Sequence, residues 1–392
     1  MKKVLWGTTA WVGLGTIGTA PSLAKFDVTV AGEWDAAYGF VNQDGGTRNG
    51  VPESAHSRQN QAINQDYEVH ILARETLDNG LVIGGQLEIS GASNNSDSDG
   101  NATSSTESGS AGSDQIDERW IYFRGGFGEI RIGDQDDARL QKSYTAPEPT
   151  DIFGVNSPTF TFRDVAIGQA VSTNSTIADL EDHAAKILYF TPSFAGFQLA
   201  ISYAPDGTNS RSSFGTGGTN EADQVSNATS IGLGYSGDFG EVTIEAGGGY
   251  TIANNETNDG ANHGQGNPYI WAAGVNIGYD ELTVGGSISF GDNLTSTGFN
   301  GDAADKARVF DVGATYEIHA VTFGVGWSRG SYDDIDDGNE DQLDDVQLGV
   351  GFELGPGVDL AGFIGWFNYN DSGPDNNDNS GWQTGIGAAL TF

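Results

Sequence analysis

What constrains this chain most is the order of its connections. Beyond residue 25 it is a series of short segments that alternate apolar and polar side chains, and the gaps between them are by turns short and long. Period-two alternation marks a strand with one apolar face. In the first segment Phe26, Val28, Val30, Trp34, Ala36, Tyr38 and Phe40 share a face, opposite Asp27, Thr29, Glu33 and Asp35. Tyr67, Val69, Ile71, Ala73 and Leu77 oppose Glu68, His70 and Arg74, and Asp78-Asn79-Gly80 then turns the chain into Leu81–Ser90. That turn chemistry predicts a hairpin.

The rhythm holds to the C-terminus. Short turns fall at Gly125–Gly128, Pro192–Gly196, Ser236–Gly240, Asp280-Glu281, Ile318–Ala320 and Gly355–Gly357. Long polar stretches fall near 41–63, 92–115, 134–183, 205–227, 253–267, 291–306, 329–344 and 370–380. The count is sixteen strands, seven short turns and eight long loops.

Sandwiches and propellers are also made of short strands. Here, however, nearly every strand pairs an apolar, aromatic-edged face with one that is polar or glycine. Tyr269, Trp271, Ala273, Val275, Ile277 and Tyr279 form such a face with aromatics at both ends. A tilted strand crosses a bilayer in about 9–11 residues, and aromatics gather at the two interfaces. The expectation is therefore all-β: a transmembrane antiparallel up-and-down barrel with oil outside and water inside. The terminal strand, with Trp382, Ile386, Ala388, Leu390 and Phe392 on its apolar face, should close against the first, leaving no edge unpaired in lipid.

Composition narrows the function. Residues 1–24 hold two lysines, a short apolar middle and small residues at Ser22 and Ala24, the pattern of a cleavable secretory signal, so residues 25–392 are read as the barrel. Removing those two lysines takes the formal charge from −37 to −39. That balance speaks against a nucleic-acid partner. With no cysteine there is neither a disulfide nor thiol chemistry. The five histidines are scattered, with no i, i+4 pair to suggest an enzyme.

G-G-F-G-E-I-R-I-G-D-Q-D (125–136), A-K-I-L-Y-F-T-P-S-F-A-G-F-Q-L-A-I-S-Y-A-P-D (185–206) and the final Phe392 resemble the general porins of Gram-negative bacteria, of the alphaproteobacterial type. The resemblance implies short periplasmic turns, long outer loops, a homotrimer and a third loop folded into the lumen as a constriction. It also implies that the barrel-insertion machinery reads Phe392, that the chain resides in the outer-membrane lipid, and that no cofactor is required.

The connection 134–183 lies where the third loop of such a barrel belongs, and it is far longer than an ordinary connection. Asp134, Asp136, Asp137, Glu148, Asp151 and Asp164 are its candidate pore-lining acids. Pro158–Arg163 reads as an extended piece packing on the wall, and Thr176–His183 as a helical turn. Arg74, Arg119, Arg131 and Lys186 take the polar parity of their strands as candidate wall cations. Acids opposite cations would set a transverse field across a narrow aqueous gap and sort small permeants by charge and size. The alternative is that the acids are merely solvated and the arginines structural.

Eight carboxylates crowd residues 331–345, and Asn95-x-Asp97-x-Asp99-Gly100 matches the first half of a calcium loop, although Thr106 stands at position twelve. Asp97, Asp99, Asp336 and Asp337 are thus either calcium ligands or part of a hydrated acidic rim. The functional expectation is passive diffusion of ions and small hydrophilic solutes with a weak cation preference. A sugar-selective channel would need an aromatic row along the lumen, for which Phe363, Phe367 and Tyr369 have the parity. A barrel enzyme or adhesin would need convergent catalytic residues or a folded loop domain.

Overall fold

A computed structural model describes residues 26–43, 47–48, 51–52, 60–91, 116–150, 152–163, 173–181, 183–207, 225–255, 266–294, 304–334, 340–370, 372 and 378–392. Sixteen antiparallel strands close into one barrel. They are β1 (Asp27–Gln43), β2 (Gln61–Thr76), β3 (Val82–Ser90), β4 (Ile116–Gly125), β5 (Gly128–Asp134), β6 (Ala185–Phe190), β7 (Phe197–Asp206) and β8 (Val225–Phe239). The second half comprises β9 (Val242–Asn255), β10 (Tyr269–Tyr279), β11 (Leu282–Asp292), β12 (Ala304–Ile318), β13 (Val321–Asp334), β14 (Glu340–Gly355), β15 (Val358–Asn370) and β16 (Asn379–Thr391). Residues 47–48 and 51–52 add a small hairpin in the first long connection.

Closure runs as the final segment requires. β1 pairs with β16, Trp34 opposite Leu390 and Tyr38 opposite Ile386. The Phe392 N–H donates to the Gly32 carbonyl at 3.0 Å, and the Gly32 N–H donates back at 2.9 Å. The Phe392 ring meets Trp34 edge-on at 5.4 Å.

The apolar parity faces outward. Ile63 and Ile386 are 69% and 66% exposed, and Trp271, Val275, Ile277 and Tyr279 of β10 are exposed on that same side. In water such a surface would aggregate; against acyl chains it is the solvated face. Tyr250, Tyr269, Trp271 and Phe290 interlock at the long-loop ends of β9–β11, an aromatic girdle at one interface. Turn geometry follows residue type: Asp280 adopts φ +54° and Gly80 φ +82°, left-handed conformations that Asp and Gly reach at least cost.

The inward face is less uniformly polar than its alternation suggests. Ile270, Val309, Leu343 and Tyr369 point inward and are buried with Ala178 and Leu180 of the connection between β5 and β6. The described residues of that connection occupy the lumen.

Candidate pore and its inserted loop

The described residues between Gln135 and Ala184 leave the end of β5 and follow the inner wall strand by strand. The Ala138 N–H donates to Ser202 Oγ on β7 at 3.0 Å and the Arg139 N–H to Ser230 Oγ on β8 at 2.9 Å. Asn276 on β10 donates to the Thr145 carbonyl at 3.0 Å, and Asp311 on β12 accepts from the Ala146 N–H at 3.0 Å. Ser328 on β13 donates to the Val155 carbonyl at 2.7 Å, and Gln383 on β16 accepts from the Phe162 N–H at 2.8 Å.

Glycine on the lumen parity makes this close seating possible. A Cβ at Gly232, Gly247 or Gly274 would collide with the backbone carbonyl of Ala138, Lys142 or Tyr144 respectively. These glycines lie on three consecutive strands, so the loop backbone rests directly on the wall backbone.

Apolar anchors complete the seat. Ile152, Phe153, Phe160 and Phe162 are buried with Ala37, Val41, Phe363 and Phe367, the Phe153 ring tilted against Phe363 with centroids 4.4 Å apart. Each such side chain contributes about 1.5–3 kcal/mol. Pro158–Arg163 therefore does pack on the wall, though as irregular chain. No helical turn forms among the described residues of 176–183, and Leu140–Lys142 is a single 3₁₀ turn instead. Phe363, Phe367 and Tyr369 lie beneath the loop rather than lining an open track.

The charges divide between wall and loop in an unexpected way. Arg119 is opposite Asp134, two residues from the exposed pair Ile121 and Ile132, so both charged groups belong to the outward face. This corrects both the lumen parity expected of Arg119 and the pore-lining place expected of Asp134. Trp120 and Tyr122 take the inward positions of β4, and aromatic residues there disguise the face. Arg119 Nε bonds Asp134 at 2.6 Å.

Arg74, Arg131 and Lys186 do point inward. Arg74 lies at the short-turn end, opposite Asp27 and Gly84. Arg131 is held by Glu129 at 2.5 Å, between the rings of Trp120 and Phe190. Lys186 is buried beneath the loop, 3.5 Å from Glu181.

The loop acids face the wall more than the open lumen. Asp137 is buried, accepting from the Leu140 N–H at 2.7 Å. Burial opposes its charge, yet Arg139, that N–H and Thr251 hold its carboxyl below the usual range. Asp136 reaches His183 at 3.3 Å. Burial pushes Asp179 up to about 6, with Asp137 adding to the effect, and Glu181 up to about 8. Asp151, Asp164, Asp97, Asp99, Asp336 and Asp337 lie outside the described residues, as do residues 1–24. Of the acids in 331–345, Asp341, Asp344 and Asp345 belong to β14 and are buried rather than free in a rim.

Glu148 is a loop acid held by the loop's own backbone. Its Oε1 accepts from the Val155 N–H at 2.8 Å and the Asn156 N–H at 3.3 Å. Burial pushes its carboxyl up to about 8 against those two donors, and Asp311 and Asp345 on the wall push the same way. Asp345 is itself paired with Arg163. Glu148 therefore holds its proton more tightly when the loop is seated than when it is released into water. Seating is strongest below the ordinary value of 4.5 and weakens as pH rises toward 8. One proton changes such an equilibrium by at most about tenfold per pH unit. Wild type should lose amide-exchange protection at Val155 and Asn156 between pH 5 and pH 8, relative to Glu148→Gln. An equal pH response in the two proteins would exclude Glu148 as the cause.

Sequence analysis put Glu68 and His70 on the polar face of β2 but singled out no acid on the wall of β2–β4. Asp66, Glu68 and His70 alternate along the lumen face of β2, with Glu88 directly opposite His70 on β3 and Glu118 bonded through Gln86. At the short-turn end Arg124, Glu129, Arg131, Lys142 and Phe190 line a cavity of about 480 Å³. Burial and the neighbouring Arg131 bring the Lys142 amine down to about 8. The signal was present, since the parity of β2 and β3 is clean and their acids lie on the polar face.

The model of the Gram-negative porin family matches residues 7–372. No curated protein sequence matches the chain. Among solved structures, OmpF of Salmonella typhi in complex with daunomycin aligns at 12% identity over 93% of this chain and 97% of its own, with a TM-score of 0.60. The anion-selective porin of Comamonas acidovorans aligns at 16% identity, TM-score 0.57, over 94% of this chain and 100% of its own. The trimer form of OmpT from Vibrio cholerae aligns at 13% identity, TM-score 0.55, over 94% of this chain and 99% of its own. At these identities the likeness is one of fold.

Proposed function

The chain belongs to the Gram-negative porin family, and on that premise we propose that this outer-membrane channel for small solutes prefers cations weakly and discriminates little among hydrophilic permeants. The observation that carries the reading is the acidic lumen face of β2–β4: Asp66, Glu68, Glu88 and Glu118. The described part of the loop covers the wall from β7 round to β16, so the aqueous path runs past β2–β5. Charged pore walls select ions of opposite sign. Toward the short-turn end Glu129 bonds both Arg124 and Arg131 and blunts the opposing basic patch. The aromatic row that a sugar channel needs is taken up in seating the loop.

Assembly as a homotrimer is part of the same reading, supported by the trimer form of the Vibrio cholerae relative. The same reading takes Phe392, exposed and bonded to Gly32 just beyond the closing strand, as the residue that the insertion machinery recognises.

Reversal potentials across a potassium chloride gradient test the selectivity. Wild type should favour potassium, and Asp66→Asn/Glu68→Gln/Glu88→Gln should bring the ratio close to unity. A wild type that favours chloride, or a triple variant identical to wild type, would overturn the assignment.

A further inference from the structure

We propose that Glu68, His70 and Glu88 form a binding site for a divalent transition-metal ion, such as zinc, on the wall of the permeation path. The inference rests on the channel reading only in requiring that the lumen be reachable by ions.

Two adjacent strands build the site. Glu68 and His70 are two residues apart on β2 and share its lumen face, and Glu88 is opposite His70 in the β2–β3 register. His70 Nε2 lies 3.3 Å from Glu68 Oε2, and His70 Nδ1 lies 3.3 Å from Glu88 Oε2. One ligand atom from each residue falls within 4.8 Å of the others.

Only one ring nitrogen can face a given ion, so one of the two separations is read as two ligand atoms around a shared cation and the other as the hydrogen bond that fixes the ring. Charge-assisted hydrogen bonds contract to about 2.7–2.9 Å. Ligand atoms around a tetrahedral zinc, with bonds of about 2.0–2.2 Å, lie roughly 3.3 Å apart. One ring nitrogen can bind the ion while the other stays bonded to a carboxylate, which fixes the ring. The imidazole also sets the chemistry: a nitrogen donor favours zinc, nickel or copper over calcium or magnesium.

The site is open on the water side. The side chains of His70 and Glu68 are 25% and 35% exposed, so solvent can complete the coordination. A second set, Glu118, Asp136 and His183, repeats the donor composition on β4 and the loop. The two sets are linked through Gln86, whose amide reaches Glu88 at 3.2 Å and Glu118 at 3.4 Å. Two imidazoles among carboxylates on neighbouring stretches of one wall are more than a solvated acidic face.

The test is calorimetric titration of the folded protein in detergent with zinc chloride and, separately, magnesium chloride, alongside zinc added to the open channel in a planar bilayer. Wild type should bind zinc and lose conductance on its addition. His70→Gln should weaken zinc binding by about tenfold or more, while magnesium affects both proteins alike. Glu88→Gln provides a second variant, and the mobility of the folded barrel on gels confirms that each variant is native. Zinc affinity unchanged in folded His70→Gln and Glu88→Gln, or magnesium binding as tightly as zinc, would overturn the site. Zinc binding in a protein that conducts nothing would sink the channel reading and leave the site standing; conductance without zinc binding would do the reverse.

Discussion

Arg163→Ser should destabilise the folded barrel by about 3–5 kcal/mol, because it strips a buried carboxylate of its counter-charge. Arg163 ends the described stretch 152–163 of the loop, and its Nη1 donates to Asp345 on β14. The two side chains are 4% and 3% exposed. The guanidinium also lies 5.6 Å over the Phe367 ring. Removing the arginine leaves Asp345 with neither water nor a cation, and the nearby Asp344 carboxylate makes that worse. The double variant Arg163→Ser/Asp345→Asn should recover most of the loss, since it removes the stranded charge. Urea midpoints in detergent, read by the gel mobility of folded and unfolded barrels, would show it. A single variant as stable as wild type would mean that the pair contributes nothing to seating the loop.

That ion pair also marks where the sequence stops being legible. The barrel could be read because its signal is local: each strand carries its own period-two pattern, and each turn its own chemistry. Phe26 to Phe40, the Asp78–Gly80 turn and the Tyr269–Tyr279 face each needed only their own residues, and closure followed from the terminal strand. The long connection after β5 betrayed itself by length. Its path did not, because that path is set by contacts such as Arg163 with Asp345 and Phe162 with Gln383, which join residues far apart in the chain. Acids on a long polar loop look solvated in sequence; Asp137 is buried where glycines on β8–β10 let the neighbouring loop backbone settle against the wall.

Arg119 failed for a different reason. Parity is a one-bit inference, and a single misread flips it. With Trp120 and Tyr122 facing the lumen, both faces of β4 carry large rings, and the β3–β4 ladder shifts register between Leu87 and Ile89. The same parity reasoning on β2 and β3, where the faces are unambiguous, puts Glu68, His70 and Glu88 on the lumen side, as the structure does. Their grouping is not legible in sequence because it depends on the β2–β3 register, which sets Glu88 opposite His70.

The account turns on where water runs inside the barrel: along the lumen face of β2–β5, with the remaining wall sealed under the loop. Glu68 on β2 is partly exposed to that lumen, whereas Ser289 on β11 has the same inward parity but is 1% exposed beneath the loop. The chain has no native cysteine, so single cysteines report without background. The most direct measurement is modification of Glu68→Cys and Ser289→Cys in open channels by a sulfonate-bearing methanethiosulfonate reagent. Glu68→Cys should react at once and change the current, and Ser289→Cys should stay inert while conducting normally. Rapid modification at Ser289→Cys, with Glu68→Cys unreactive, would place the water on the opposite side and contradict the account.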